Sequence, residues 1–392
     1  MSRAGAVERF RERFVRSASS TESFALLVGA AGFVLASLVA LLVFGGRDIP
    51  ISGVGSLGQF VAITGGILAF LTFVGTRVIV DRAPALSLFE PGGVTTPRIP
   101  SSSGGHAHAR LASRVLDVVA IGFAHAIICL LLWTAIADIL EKSFQDAVVY
   151  SIPALVLTGA AAAVTTYFVC LSALTITPVR LSAVLAGFLV IGAVTSMLTA
   201  KDPHWWKENL SALGMTDDLS AMTFNLTLIV AGVIVTTVAR YATAGLVAPG
   251  APVGAGARIV RWGLVAIGAL LACVGVFPVD RFLLVHNTVA TGMVVVFLGI
   301  VIGLPWLLPT MPRVFVAIGY VFIVVIVLTA VFFAIGYYNL TAVELVAAVL
   351  IFSWIIVFLR NASALSTDRA DRADAAASVT RTKQESGRLA AQ

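Results

Sequence analysis

Residues 314–336 read VFVAIGYVFIVVIVLTAVFFAIG and contain no charged side chain. A run of about 20 apolar residues is long enough to cross the hydrocarbon core of a bilayer as an α-helix. The run is continuously apolar, whereas the strands of a membrane β-barrel alternate between apolar and polar residues. Because backbone groups in lipid must be paired within the segment, this run predicts a transmembrane helix.

Nine further runs of this kind occur, and the composition agrees with them. The 392 residues are 59% hydrophobic and 12% charged, whereas a soluble domain has roughly 25% charged residues. The sequence therefore predicts an all-α, polytopic membrane helix bundle of about ten transmembrane helices. The predicted spans are 23–44, 57–80, 116–139, 150–175, 181–200, 219–244, 259–277, 283–308, 314–336 and 341–359.

Charged residues test this count, because Lys and Arg collect on the cytoplasmic side of membrane proteins. If the N-terminus is cytoplasmic and the spans alternate, the inside segments hold 21 of the 26 basic residues and 10 of the 20 acidic residues. The basic residues left outside are Arg47, Lys142, Lys201, Lys207 and Arg281. This asymmetry predicts an even number of spans, both termini in the cytoplasm, and an integral multi-pass protein of the plasma membrane.

Composition also divides the chain into regions. A basic cytoplasmic N-terminus (1–22) precedes a four-helix membrane region (23–175), which contains a flexible cytoplasmic linker rich in Pro, Gly and Ser at 81–115. A six-helix membrane core (180–360) follows. The cytoplasmic tail, 361–392, has few large apolar residues and mixed charge, so it is predicted to be disordered or transiently helical.

A polar stretch, HWWKENLSALGMTDD at 204–218, interrupts the apolar pattern between the fifth and sixth spans. The next outside connection, GVFPVDRFLLVHN at 275–287, carries further ionisable groups. Ionisable groups near lipid turn toward protein or water, so these two connections predict an outward-facing polar pocket. Its candidate residues are Ser211, Gly214, Asp217, Asn225, Asp280 and His286.

These connections also allow purely structural interpretations. Trp205 and Trp206 suit the membrane–water interface, and a carboxylate of Asp217 or Asp218 can cap the helix that follows. Four residues of metal-binding type occur near each other in the predicted topology, namely His204, Glu208, Asp280 and His286. Nothing in the sequence shows that they meet, so neither a metal nor a cofactor is predicted.

Among the ionisable residues within the predicted spans, three need an interpretation of their own. His125, in the third span, is either a functional group or a neutral histidine that bonds to a neighbouring helix. Asp138 and Glu344, near the outer ends of the third and tenth spans, either pair with Lys142 or Arg281 or face water.

Two further patterns concern packing. Small residues in LTGAAAAVTT, 157–166, predict that the fourth span packs closely against its neighbours. The outside segment ISGVG at 51–55 loosely parallels LSALG at 210–214. Spans one to four would then repeat spans five to eight in the same orientation, as happens in some transporters.

Several short motifs between 211 and 286 together resemble a known pattern. They are a Ser-x-Leu-Gly segment, a Phe-Asn in the next helix, a Phe-Pro-x-Asp turn and a His that opens the following helix. The matching positions are Ser211, Leu213, Gly214, Phe224, Asn225, Phe277, Pro278, Asp280 and His286. On them, residues 180–360 resemble a bacterial membrane family, domain-of-unknown-function family 998, and are distantly similar to the eukaryotic Frag/DRAM/Sfk membrane proteins.

The resemblance implies a six-helix core and no established reaction. Ala212 stands where that family usually has an acidic residue, so no carboxylate role carries over to this position. The first four spans lie outside the resemblance.

Three functions remain open on the sequence alone. The first is a non-enzymatic protein that organises or senses lipids, or a membrane or envelope protein partner. The second is a secondary transporter of a small solute. The third is a membrane hydrolase with an outer-facing His/Asp site, for which Ser211 is the one motif serine nearby. The lipid bilayer is the expected partner in each case, and the net charge reports orientation instead of nucleic-acid binding.

Overall fold

Ten long α-helices make up most of the computed structural model, which describes residues 18–81, 104–144, 147–244 and 254–390. They are α1 (Ala18–Phe44), α2 (Leu57–Asp81), α3 (Gly104–Ser143), α4 (Ser151–Leu174), α5 (Pro178–Thr199), α6 (Leu219–Ala244), α7 (Ala255–Val276), α8 (Leu283–Leu307), α9 (Arg313–Ala334) and α10 (Leu340–Ala390). Each contains a segment of 21 to 27 residues that is long and apolar enough to cross a membrane. The predicted all-α, ten-span bundle is confirmed.

Two helices extend beyond their predicted spans. α3 begins at Gly104, inside the predicted linker 81–115, of which residues 82–103 lie outside the described part of the chain. α10 continues to Ala390, through most of the predicted tail 361–392. Both extensions are rich in Ala and Arg, which are good helix formers in water, whereas the predicted spans followed apolar residues alone. The basic segment 1–22 is described only from Ala18 onward.

Connections that were predicted to share one side of the membrane meet at one end of the bundle. Strands β1 (Ile49–Pro50) and β2 (Val148–Val149) pair antiparallel and join the α1–α2 connection to the α3–α4 connection. The Lys142 ammonium, at the end of α3, donates to the Leu198 carbonyl at the end of α5 over 3.3 Å. Residues 200–218 lie at this end too. We call these residues the cap, and the end that carries them the capped end.

The helices form two groups that α3 connects. In the first group α1 packs on α4, and α2 packs on α3 and α4. In the second, α5, α6, α7 and α8 pack in chain order, and α10 returns against α5 and α6. α1 pairs with α4, whereas the equivalent α5 pairs with α6. The arrangement of neighbours therefore does not support a repeat of spans one to four in spans five to eight.

Small residues allow two helix pairs to approach closely. On α6 and α7, a Cβ added to Gly268 would lie 2.6 Å from the carbonyl oxygen of Gly232. On α4, a Cβ added to Gly159 would collide with the hydroxyl of Ser37 on α1. Most of the small residues between 157 and 166 are buried. The predicted close packing of the fourth span is confirmed, in keeping with the role of small residues at helix contacts in lipid.

An aromatic cluster joins the last three helices. Trp354 of α10 is fully buried. Its ring stacks on Phe315 of α9 and Phe358 of α10, with centroids 5.2 and 5.5 Å away, and meets Phe297 of α8 edge-on at 5.5 Å. Each such pair contributes about 0.5–1.5 kcal/mol beyond the area that it buries. The cluster therefore fixes α8, α9 and α10 beside one another.

Candidate functional site

The cap folds as two short 3₁₀ turns, Trp205–Lys207 and Leu210–Gly214. Local hydrogen bonds that its acidic residues accept shape it. The Asp202 carboxylate accepts the backbone N–H of His204 over 2.8 Å. The Asp218 carboxylate accepts the N–H of Ala221 over 3.0 Å and so caps the start of α6. The predicted helix-capping role therefore falls to Asp218.

Two side chains, one just before α10 and one in its first turns, hold the cap from one side. The Asn339 amide donates to the Trp206 carbonyl over 2.8 Å, and its oxygen accepts the N–H of Ala342 over 3.0 Å at the start of the helix. The Glu344 carboxylate accepts the backbone N–H of Leu210 over 2.5 Å and also that of Ser211. Backbone groups that the short turns leave unpaired are thereby satisfied.

His286, near the start of α8, holds the cap from a second side. Its Nδ1 lies 2.7 Å from the Phe277 carbonyl oxygen, and its Nε2 lies 3.0 Å from the hydroxyl oxygen of Ser211. A carbonyl can only accept, so Nδ1 carries a proton, and in the neutral ring Nε2 accepts the Ser211 O–H. The histidine is buried, with 4% of its surface exposed, and this arrangement satisfies both of its ring nitrogens.

Asn225 of α6 holds the cap from below. Its amide N–H donates to the Gly214 carbonyl over 3.0 Å. A Cβ on Gly214 would lie 2.5 Å from the Asn225 side-chain oxygen and 3.0 Å from the Phe224 ring. The absence of a side chain at position 214 therefore allows the turn to approach α6 closely enough for this hydrogen bond.

An open cavity of about 510 Å³ lies between the cap and the α7–α8 turn. Its charged residues are Asp217, Asp218 and Arg281, and Asn225 adds an amide. The Arg281 guanidinium donates to the Asp217 carboxylate over 2.7 Å, and both side chains are more than half exposed. The remaining lining residues are Gly214, Met215, Thr216, Leu219, Ala221, Met222 and Pro278.

The surroundings of Asp218, one of the acids that line the cavity, shift the pKa of its carboxyl group. Partial burial by itself raises its pKa, but hydrogen bonds from the Thr216 side chain and from the N–H groups of Ala221 and Ser220, with the charge of Lys201, outweigh burial. The pKa of Asp218 is therefore held below its ordinary value. The carboxylate stays ionised as the helix cap and as a wall of the cavity.

The structure brings the six predicted residues to the capped end but divides them between two adjacent places. Three of them line the cavity, namely Gly214, Asp217 and Asn225. Ser211 and His286 are bonded to each other, and Ser211 belongs to the same 3₁₀ turn as Gly214. Asp280 lies in the α7–α8 turn, where its carboxylate is 3.7 Å from the Arg281 Nε.

The possible metal ligands do not assemble. Among the residues that the structure describes, no group of three or more His, Cys, Asp or Glu side chains could hold a metal ion. His204 instead lies 3.7 Å from Asp202 within the cap, and both nitrogens of His286 have protein partners.

Three residues of the site were missed or given other roles by sequence reasoning. Glu344 had been considered as a partner of Arg281, but it binds the cap backbone instead. Asn339 carried no signal, because an Asn before a helix is ordinarily only a cap. Arg281 was recognised as a turn residue and not as a wall of the cavity. By contrast, Asp138 pairs with Lys142 over 2.7 Å, as one of the two alternatives proposed.

His125 makes a second Ser–His contact, away from the cap. Its Nδ1 lies 2.8 Å from the Ile121 carbonyl oxygen, and its Nε2 lies 2.8 Å from the Ser172 hydroxyl of α4. The ring stacks on Phe73 of α2 at 4.7 Å. This is the structural alternative considered for His125, a histidine bonded to a neighbouring helix.

Comparisons of the chain with protein-family models, curated proteins and solved structures found no match.

Proposed function

We propose that this multi-pass membrane protein binds the headgroup of a zwitterionic phospholipid in the cavity at its capped end, and that it organises or senses lipid there. One observation carries the proposal. A cavity of about 510 Å³ with an arginine and two aspartates in its walls lies where apolar helices end. In such a headgroup the phosphate is complementary to the arginine, and the ammonium is complementary to the aspartates.

The rim of the cavity suits a molecule that is partly in the bilayer. Leu219 and Met222 line the cavity, and 43% and 58% of their surfaces are exposed. Leu284, the second residue of the adjacent α8, is 82% exposed. Exposed apolar side chains at the end of a membrane helix face acyl chains, whereas the charged side chains beside them are at headgroup level. One lipid can therefore occupy both surfaces.

Arg281 is available for exchange between partners. Its ion pair with Asp217 is solvent-exposed, and exposed pairs contribute only about 0–1 kcal/mol. A phosphate offers the planar guanidinium a bidentate partner. Phosphate binding would free Asp217, beside Asp218, to accept the N–H groups of an ammonium. A primary ammonium has such donors and a quaternary ammonium has none, so phosphatidylethanolamine should be preferred over phosphatidylcholine.

The resemblance to family 998 and the sidedness belong to the same proposal. Four of the nine positions that carry the resemblance form two bonded pairs, Ser211 with His286 and Gly214 with Asn225, and these contacts support the proposal. The asymmetry of Lys and Arg supports an outward-facing capped end in the plasma membrane. The lipid would then belong to the outer leaflet.

Titration of the detergent-solubilised protein with short-chain fluorescent lipids tests the proposal. We expect tighter binding of phosphatidylethanolamine than of phosphatidylcholine, and a loss of about tenfold or more in Arg281→Gln, since a charge-assisted hydrogen bond contributes about 1.5–3 kcal/mol. Arg47→Gln, at another connection of the capped end, is the matched control and should bind as the wild type does. Equal binding by Arg281→Gln and the wild type would refute the proposal.

A second variant tests whether the carboxylates of Asp217 and Asp218 contact the headgroup. Asp217→Asn combined with Asp218→Asn removes both negative charges from the cavity wall and leaves Arg281 in place. We expect the preference to change from phosphatidylethanolamine toward anionic phosphatidylglycerol, because only the phosphate site remains. An unchanged preference would show that these two aspartates do not contact the headgroup.

A further inference from the structure

We propose that Ser211 and His286 form a nucleophile and its general base, and that they transfer the acyl group of a lipid ester at the capped end. The ester as substrate class rests on the proposed lipid binding, whereas the reactivity of the serine does not. The observation is the 3.0 Å contact from the Ser211 hydroxyl to the His286 Nε2, with Nδ1 held 2.7 Å from the Phe277 carbonyl.

The hydrogen-bond directions give each atom its role. The Phe277 carbonyl fixes the proton on Nδ1 and orients the ring, so the lone pair of Nε2 points at the serine O–H. A serine is a weak nucleophile until a neighbouring base accepts its proton. The same tautomer is required of the histidine in serine hydrolases, where a carboxylate usually holds Nδ1. Here a backbone carbonyl takes that place.

A third side chain, Glu344, lies beside the pair. Its carboxylate accepts the backbone N–H of Ser211 and of Leu210, so it lies at the same residue whose hydroxyl the histidine contacts. It fixes the serine backbone, which keeps the hydroxyl within reach of Nε2.

The position of Ser211 in the cap favours access of a lipid ester to its hydroxyl. Ser211 is partly exposed and lies in a turn of the cap. Gly214 in the same turn lines the cavity assigned to the headgroup. The ester carbonyls of a phospholipid lie between its headgroup and its acyl chains, at the depth where a helix end meets its connection. The serine is therefore placed at the level of an ester bond.

The reaction balances with water as the second substrate. The Ser211 Oγ attacks the ester carbonyl carbon while its proton passes to the His286 Nε2. The carbonyl electrons move to oxygen, and their return breaks the carbon–oxygen bond to the alcohol, which leaves with the proton from Nε2. A water molecule then attacks the acyl-serine with His286 again as base, which releases a carboxylic acid and regenerates the serine.

A fluorescent fluorophosphonate tests the pair without any lipid. The full-length protein in detergent micelles should form a covalent Ser211–phosphorus bond, located by mass spectrometry of the peptides. Ser211→Ala should lose the label, and His286→Gln should slow labelling about a hundredfold or more, within the range of general-base catalysis. Ser172→Ala is the matched control, since that serine has the same kind of histidine contact elsewhere; its labelling should equal that of the wild type.

Three results would overturn the inference, provided that gel filtration and thermal melting show folded protein. They are an unlabelled wild type, a label on another serine, and labelling that does not depend on His286.

A separate experiment tests the substrate class, by measuring fatty acid release from vesicles of phosphatidylethanolamine with a fluorescent ester-linked chain. A protein that labels at Ser211 but releases no acid would refute the lipid ester. A protein that labels but does not bind phosphatidylethanolamine would refute the headgroup proposal alone.

Discussion

At the scale of single residues, the cap depends on contacts that leave no room for a larger side chain. Gly214→Ala places a Cβ 2.5 Å from the Asn225 side-chain oxygen. Because overpacking a fitted contact costs about 1–3 kcal/mol, we expect a melting temperature lower by several degrees and weaker lipid binding. A thermal melt in detergent measures the change in melting temperature, and the lipid titration described above measures the change in binding.

The control for this substitution is a glycine with space around it. Gly187 in the middle of α5 has no atom within 4 Å of an added Cβ, so Gly187→Ala should melt at or slightly above the wild-type temperature, since Ala is the better helix former. If both variants melt alike, the close approach of the cap to Asn225 does not contribute to stability.

Asp218 makes the stability of the cap depend on pH. Its pKa is held below the ordinary value, because hydrogen bonds from Thr216, Ala221 and Ser220 and the charge of Lys201 outweigh the effect of partial burial. A depressed pKa means that the folded state favours the ionised form. The stabilisation is therefore complete above the unfolded pKa and is lost as pH falls through the folded pKa.

Melting curves from pH 7 downward should show this loss in the wild type. In Asp218→Asn the acid-dependent part should be smaller, with a lower melting temperature already near neutral pH. Asp368→Asn, an exposed carboxyl of α10 beyond its membrane span, is the control and should follow the wild-type curve. Parallel curves for wild type and Asp218→Asn would contradict the assignment.

At the scale of helices, the α6–α7 contact rests on backbone against backbone. A Cβ on Gly268 would lie 2.6 Å from the Gly232 carbonyl oxygen. Lipid supplies no hydrophobic force between helices, so a pair that is pushed apart loses its van der Waals packing without compensation. We expect Gly268→Ala to destabilise the protein by about 1–3 kcal/mol, measured by thermal or denaturant unfolding in detergent.

A lipid-facing glycine gives the comparison. Gly299 on α8 is exposed and has no atom within 4 Å of an added Cβ, so Gly299→Ala should be neutral. Equal destabilisation by both substitutions would point to a general effect of alanine on these helices and not to the α6–α7 contact.

At the scale of the whole molecule, sidedness is the testable property. Lys207 is exposed in the cap, and Asp368 is exposed at the far side of the last span. In intact cells, a membrane-impermeant maleimide should label Lys207→Cys and should not label Asp368→Cys until the membrane is permeabilised. Labelling of the wild type measures the background from the three native cysteines, of which Cys129 and Cys170 are buried and Cys273 is partly exposed. Labelling in the reverse order would invert the proposed topology.

The sequence predicted the number and positions of the spans, which the bilayer thickness determines. It did not predict the side-chain contacts between elements, which depend on helix packing. Bilayer thickness fixes the length of an apolar run such as 314–336, so the number and place of the spans followed. The hydrogen bond between Ser211 and His286 joins positions 75 residues apart, and it depends on how α8 is rotated toward the cap. Apolar runs carry little information about rotation, which is why the sequence predicted one pocket for six residues that the structure divides between adjacent places.

The link from Glu344 to Leu210 has a consequence for biogenesis. The two residues are 134 positions apart. The ribosome therefore makes the sixth to ninth spans after Leu210 and before the Glu344 carboxylate that binds it. Until the tenth span has been made, the cap lacks the hydrogen bonds that Asn339 and Glu344 provide. α10 is therefore the last to be made of the elements that bind the cap, and a chain truncated before Asn339 should carry a cap that only Asn225 and His286 still hold.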